Sequence, residues 1–114
     1  MPSDCIFCKI RDGAVKSTIL HRDAACFVIR DIAPKAPTHL LVIPNDHFLA
    51  LTGLTPAHAD MVSGMFLAAR EMVKREGVDK SGYRLVINQG FDGGQEVPHL
   101  HLHILGGRKL SAMG

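Results

Sequence analysis

The sequence predicts an α+β fold: a single, mainly antiparallel five-stranded sheet with one long helix. Three observations predict it. Five short runs are rich in β-favouring residues and are bounded by Gly, Pro or Asp. One stretch after Thr55 places apolar residues at helical spacing. Strands and helices do not alternate regularly, as a parallel βαβ sheet would require. At 114 residues the chain is the size of a single domain, 1–114, with one modest core.

Taken in order, Cys5 to Ile10 (CIFCKI) is short and apolar, suited to one helical turn or a loop packed on the core. Asp12-Gly13 marks a turn. Thr18–Leu20 and Cys26–Ile29 are the first two strands, joined through Arg22-Asp23. Asp31–Pro37 holds two prolines, which exclude regular structure. Leu40–Ile43 is continuously apolar and reads as a buried strand, stopped by Pro44-Asn45. Thr55 is a helix N-cap with Pro56 at the first helical position. Met61, Met65, Ala68 and Met72 form one stripe; Val62, Phe66, Ala69 and Val73 form another beside it. Gly77 is the expected stop. Tyr83–Ile87 is a strand, Asn88–Gln95 a glycine-rich loop, and Val97–Leu105 the last strand, ended by Gly106-Gly107.

Composition excludes several classes. A net charge of +2 is too small for nucleic-acid binding but suits a small anion such as a phosphate ester. Leu40–Ile43 falls far short of a membrane span, so no membrane partner is expected. The start Met1-Pro2-Ser3-Asp4 lacks a basic segment followed by an apolar one, which argues against a signal peptide. Three cysteines, two of them spaced Cys5-x-x-Cys8, fit thiols or a metal site in a reducing compartment, and a cytosolic location is expected.

The last strand carries the chemistry. Histidine alternates with an aliphatic residue three times, so an extended chain puts His99, His101 and His103 on one face, ~7 Å apart. Leu100, Leu102 and Ile104 face the core. The preceding glycines let backbone N–H groups turn toward an anion. A neutral imidazole is a nucleophile for phosphorus, and a neighbouring one can move a proton, which suits phosphoryl or nucleotidyl transfer. The same three histidines also suit a catalytic zinc site with an open position. Separately, Cys5 and Cys8 can join two histidines in a closed structural zinc site, with His47 the natural third ligand.

The blocks Asp31-Ile-Ala-Pro-Lys-Ala-Pro-Thr-His-Leu-Leu-Val-Ile-Pro44, Gly93-Gly-Gln-Glu-Val-Pro-His-Leu-His-Leu-His103 and Gly106-Gly-Arg108 resemble those of the histidine triad (HIT) family, nearest its Hint branch of purine-nucleoside phosphoramidases. The resemblance spans nearly the whole chain. It implies a HIT-like fold, a homodimer, and hydrolysis of P–N or P–O bonds at the α-phosphate of purine nucleoside monophosphate derivatives. By resemblance His101 is the nucleophile, His103 contacts the phosphate, His99 is the first triad member and His39 supports the triad. Asn88, Gly94 and Gln95 match phosphate-side contacts. Asp31 matches a carboxylate that accepts from both ribose hydroxyls, and Ile6, Phe7, Ile10, Ile29 and Ile32 fall at the base pocket. Glu96 stands where a serine often helps protonate the leaving group, and Pro98 replaces a common aromatic residue. Cys5, Cys8, His47 and His99 match a structural zinc set found in some bacterial members; no catalytic metal is expected. Two further functions fit the same resemblance: a nucleotide-binding or scaffold protein with vestigial catalysis, and a dinucleoside polyphosphate hydrolase.

Overall fold

A computed structural model describes residues 4–114. The N-terminal expectation therefore lies partly outside the described residues, at Met1–Ser3. Five strands form one antiparallel sheet: β1 (Ile19–Arg22), β2 (Cys26–Arg30), β3 (Thr38–Pro44), β4 (Tyr83–Val86) and β5 (Leu102–Gly106), in the order β1-β2-β3-β5-β4. Two α-helices flank it, α1 (Ile6–Arg11) and α2 (Ala59–Arg75). The architecture is the expected α+β one. No helix among the described residues is long and apolar enough to cross a membrane.

β3 is buried at every position, as its unbroken apolar run predicts, because each face of the sheet is covered. On one face Leu40 and Val42 of β3, Cys26 and Val28 of β2, and Leu102 and Ile104 of β5 meet Met65, Ala68, Ala69, Met72 and Val73 of α2. On the other face Phe27, Ile29, Leu41 and Ile43 meet Cys5, Phe7, Cys8 and Ile10 of the α1 segment. The functional side chains lie on this second face. The register Leu41↔His103 and His39↔Leu105 places His39 and His103 there together.

Two elements differ from expectation. The helix after Thr55 opens with a 3-10 turn, Pro56–His58, before α2 begins. Its cap is a box in which Thr55 Oγ1 accepts from the Ala57 N–H and His58 Nδ1 accepts from the Thr55 N–H. The histidine strand begins five residues late, at Leu102 rather than Val97. Pro98 has no N–H to offer a ladder, the His99 N–H turns back to Val97 O, and the Leu100 N–H goes to Phe48 O. Residues 97–101 therefore leave the sheet. The alternation survives in part, since Leu100 is buried while His101 and His103 face the other side.

α2 crosses the β1–β2 turn closely at Gly64, where an added Cβ would lie 2.5 Å from Ala25 Cβ. In an open helix interior Gly→Ala gains roughly 1 kcal/mol. Here both atoms are fixed to backbone, so the sign reverses. Gly64→Ala is expected to lower stability by about 1–3 kcal/mol, read as a lower urea midpoint at unchanged slope. A raised midpoint would show that α2 moves off the turn freely.

Candidate functional site

Two clusters share the α1 face. In the first, Cys5 Sγ and Cys8 Sγ lie 3.3 and 3.6 Å from His99 Nδ1, and Cys8 Sγ lies 3.3 Å from His47 Nδ1. All four donor atoms fall within 4.8 Å of one another, so this cluster can hold a metal ion. A tetrahedral ion with Zn–S of ~2.3 Å and Zn–N of ~2.0 Å needs S···N separations of about 3.6 Å, which these distances approach. The orientation of His99 fits as well. Its Nε2 lies 3.1 Å from Pro44 O, a group that accepts only, so the proton sits on Nε2. The Nδ1 lone pair is left for a ligand, held by the kind of outer hydrogen bond that metal-binding histidines use. Burial pushes His99 down to about 4 and raises the Cys8 thiol, with Cys5 reinforcing the latter. Burial also pushes the third cysteine, Cys26, up to about 12; it sits in the α2-side core, away from both clusters.

The second cluster lines a cavity of about 460 Å³. His101 and His103 lie side by side there, ring centres 4.8 Å apart, and His39 stacks behind at 5.2 Å from His103. The hydrogen bonds determine which nitrogens carry protons. His101 Nδ1 donates to His99 O at 2.7 Å, so its Nε2 holds the lone pair. His39 Nδ1 accepts from the Lys35 N–H at 3.0 Å, so its proton is on Nε2 and passes to His103 Nδ1 at 2.9 Å. His103 then carries its proton on Nε2; Asn88 Nδ2 lies 3.5 Å away, and the amide accepts that proton once turned to present Oδ1. Two adjacent imidazoles thus present opposite functions. Burial lowers His39 and takes His103 to about 4, helped at His103 by His101 and His39 and opposed by Asp31. Both are neutral near pH 7.

The structure brings most sequence-predicted residues to this cavity. Ile6, Phe7, Ile10, Ile29, Asp31, Ile32, His39, Asn88, Gly94, Glu96, His101 and His103 all line it. Asp31 spends Oδ1 on the Ala33 N–H and reaches His39 Nε2 with Oδ2 at 3.4 Å, leaving lone pairs for a ligand. Ile32 is 99% exposed, an aliphatic group on the cavity rim with nothing over it. Two residues lie elsewhere. His99 is turned into the cysteine cluster, so two histidines rather than three face the cavity and the triad does not converge on one ion. Gln95 braces the loop: its Oε1 accepts from Gly90 N–H and Gln89 Nε2, and its Nε2 donates to Leu49 O and Val97 O. The Gly94 and Gln95 N–H groups likewise close the loop, on Phe91 O and Gly90 O. Asp31, His39 and His103 also lie within metal-binding reach of one another, but both His39 nitrogens are already engaged.

Sequence reasoning missed the Lys35 amide, which sets the first tautomer, and Arg30, Ala33, Leu41, Val86, Val97 and Leu105, which complete the lining with Lys35. Register could have found Leu41, two positions from His39 on the same face of β3. Nothing in the sequence marks a main-chain N–H.

The chain is similar to known proteins over nearly its whole length. The HIT domain profile matches residues 12–110. The chain is 39% identical over 113 residues to a purine nucleoside phosphoramidase of Escherichia coli (strain K12), spanning 99% of this chain and 95% of that protein. A histidine triad protein from Clostridium difficile superposes with a TM-score of 0.91 at 41% identity, covering 97% of this chain and 96% of that one. A HIT family hydrolase from Legionella pneumophila gives 0.91 at 40% identity, covering 95% and 96%. The chain belongs to the HIT family.

The depressed histidines make stability depend on pH. Unfolded, His103 titrates near 6.5, and folded near 4, with His39 lowered in the same direction by burial. Between those values the unfolded chain binds protons that the folded chain lacks, so stability rises with pH. The urea midpoint is expected to hold above about pH 6.5 and to fall steadily toward about pH 4, with a shallower fall in His103→Asn. A flat profile would mean that the folded protein carries these rings charged.

Proposed function

We propose that this protein is a hydrolase that cleaves P–N or P–O bonds at the α-phosphate of purine nucleoside monophosphate derivatives, through a nucleotidyl-His101 intermediate. The observation that carries the reading is the opposed protonation of two neighbouring rings, a lone pair on His101 Nε2 and a proton on His103 Nε2. Ile6, Phe7, Ile10, Ile29 and Ile32 offer an apolar slot for a flat base, and Asp31 offers acceptors for ribose hydroxyls. His101 Nε2 attacks phosphorus, and the bond from phosphorus to the leaving nitrogen or oxygen breaks. The leaving group takes a proton from His103 Nε2. As the His101 ring gains positive charge, the His99 carbonyl stabilises its Nδ1–H. Water then attacks phosphorus, returns a proton to His103 Nε2, and the bond from phosphorus to His101 Nε2 breaks, releasing the nucleoside monophosphate and free His101. The Escherichia coli relative's name supports the purine phosphoramidate class.

Zinc is the ion this donor set favours, two thiolates and two imidazoles at Cys5, Cys8, His47 and His99. It would be structural, since all four donors are taken by the site and none touches the α-phosphate. A homodimer completes the reading. β4 is an edge strand, and Phe66 and Leu67 stand about half exposed on α2, as an unpartnered apolar surface does.

His101→Ala is expected to lose more than about a thousandfold in adenosine 5′-phosphoramidate turnover while holding AMP within about threefold. Near-normal turnover in that variant would remove His101 as nucleophile. AMP binding without turnover in the unaltered protein would make it a nucleotide-binding module instead. Metal analysis is expected to find zinc equimolar with protein and to find it lost in Cys5→Ser. Unchanged zinc in that variant would exclude Cys5 as a ligand.

A further inference from the structure

α1 belongs to both clusters at once. At six residues it is too short to hold its own shape by backbone hydrogen bonds alone. Its start is tied to the rest of the chain through Cys5 and Cys8, and its end through Arg11, which donates to Asn45 O. Between the two cysteines sits Phe7. Its ring meets His99 edge-on at 5.7 Å and His101 edge-on at 5.0 Å, and it lines the cavity together with Ile6 and Ile10. His99 in turn reaches the cysteines with its side chain and orients His101 with its main-chain oxygen. The metal cluster and the nucleotide cavity are therefore joined by one short helix and one residue.

We propose that a metal held by Cys5, Cys8, His47 and His99 clamps α1 so that Phe7 holds the His101 ring and the cavity wall in place, making metal binding and nucleotide binding mutually reinforcing. This rests on the nucleotide reading of the cavity given above. Phe7 is a positioning residue in this scheme, acting on phosphorus through His101. Linkage requires the coupling to be reciprocal: if zinc tightens AMP by some factor, AMP tightens zinc by the same factor.

The test compares zinc-loaded protein with protein stripped by chelation, using AMP as the nucleotide. Calorimetry is expected to show AMP at least about tenfold weaker without zinc, and zinc held tighter by the same factor in saturating AMP. Hydrogen exchange is expected to speed up at residues 6–11 while β3 and α2 are unchanged. Phe7→Ala in zinc-loaded protein should weaken AMP to a similar extent, and stripping zinc from it should add little, because the two changes act through one contact. Phe7→Leu, which keeps much of the volume and loses the aromatic edge, serves if the alanine variant does not fold. AMP affinity equal within about twofold with and without zinc would overturn the proposal, as would effects that multiply independently. Faster exchange throughout β3 and α2 would also overturn it, by making the cluster a staple for the whole fold. If AMP fails to bind even zinc-loaded protein, the nucleotide reading falls, and the clamp is judged by exchange alone: unchanged protection at 6–11 after stripping would end it.

Discussion

The site depends on one hydrogen bond, from His101 Nδ1 to the His99 carbonyl at 2.7 Å. It fixes the ring, assigns its proton and leaves Nε2 free toward the cavity. That carbonyl is available because residue 99 lies outside the β-ladder, where its oxygen would be engaged by a neighbouring strand. The late start of β5 is thus part of the chemistry. Pro98 and the Phe48 carbonyl hold the chain away from the sheet for long enough to turn a main-chain acceptor onto the neighbouring ring.

Desolvation is the second constraint. The sheet is covered on both faces, and burial on the α1 face favours the neutral forms of His39, His99 and His103. Neutrality serves the relay, since a charged His39 could not accept from the Lys35 N–H and so fix the tautomer of His103. The main-chain N–H of Lys35 starts that chain of assignments, and the two-proline loop presents it. Backbone groups at both ends of the histidine array therefore set its protonation pattern, and backbone is insensitive to pH over the working range.

His99 was legible as a histidine of the alternating series but not as a residue aimed elsewhere. Period-two spacing places it with His101 and His103, and only the bend at 97–101 turns its ring to Cys5 and Cys8. Gln95 is similar. Its position beside two glycines suggests a ligand contact, whereas its amide is spent on Gly90, Gln89, Leu49 and Val97. Conversely, the apolar residues of the α1 segment were legible as a group: Ile6, Phe7 and Ile10 reach the cavity because the helix lies across the face that β2 and β3 leave open.

The sequence by itself determined the strands, the capped helix and the identity of the reactive side chains. These follow from local rules: side-chain period, turn residues, and the chemistry of imidazole and thiol. Tertiary structure alone decided which nitrogen of each ring carries a proton, which histidine leaves the array for the thiols, and that a single six-residue helix serves both clusters. Those outcomes depend on main-chain groups, Lys35 four residues from His39 and Pro44 and Phe48 about fifty residues from the bend they contact, and a backbone amide or carbonyl looks the same at every position until the fold says what it faces.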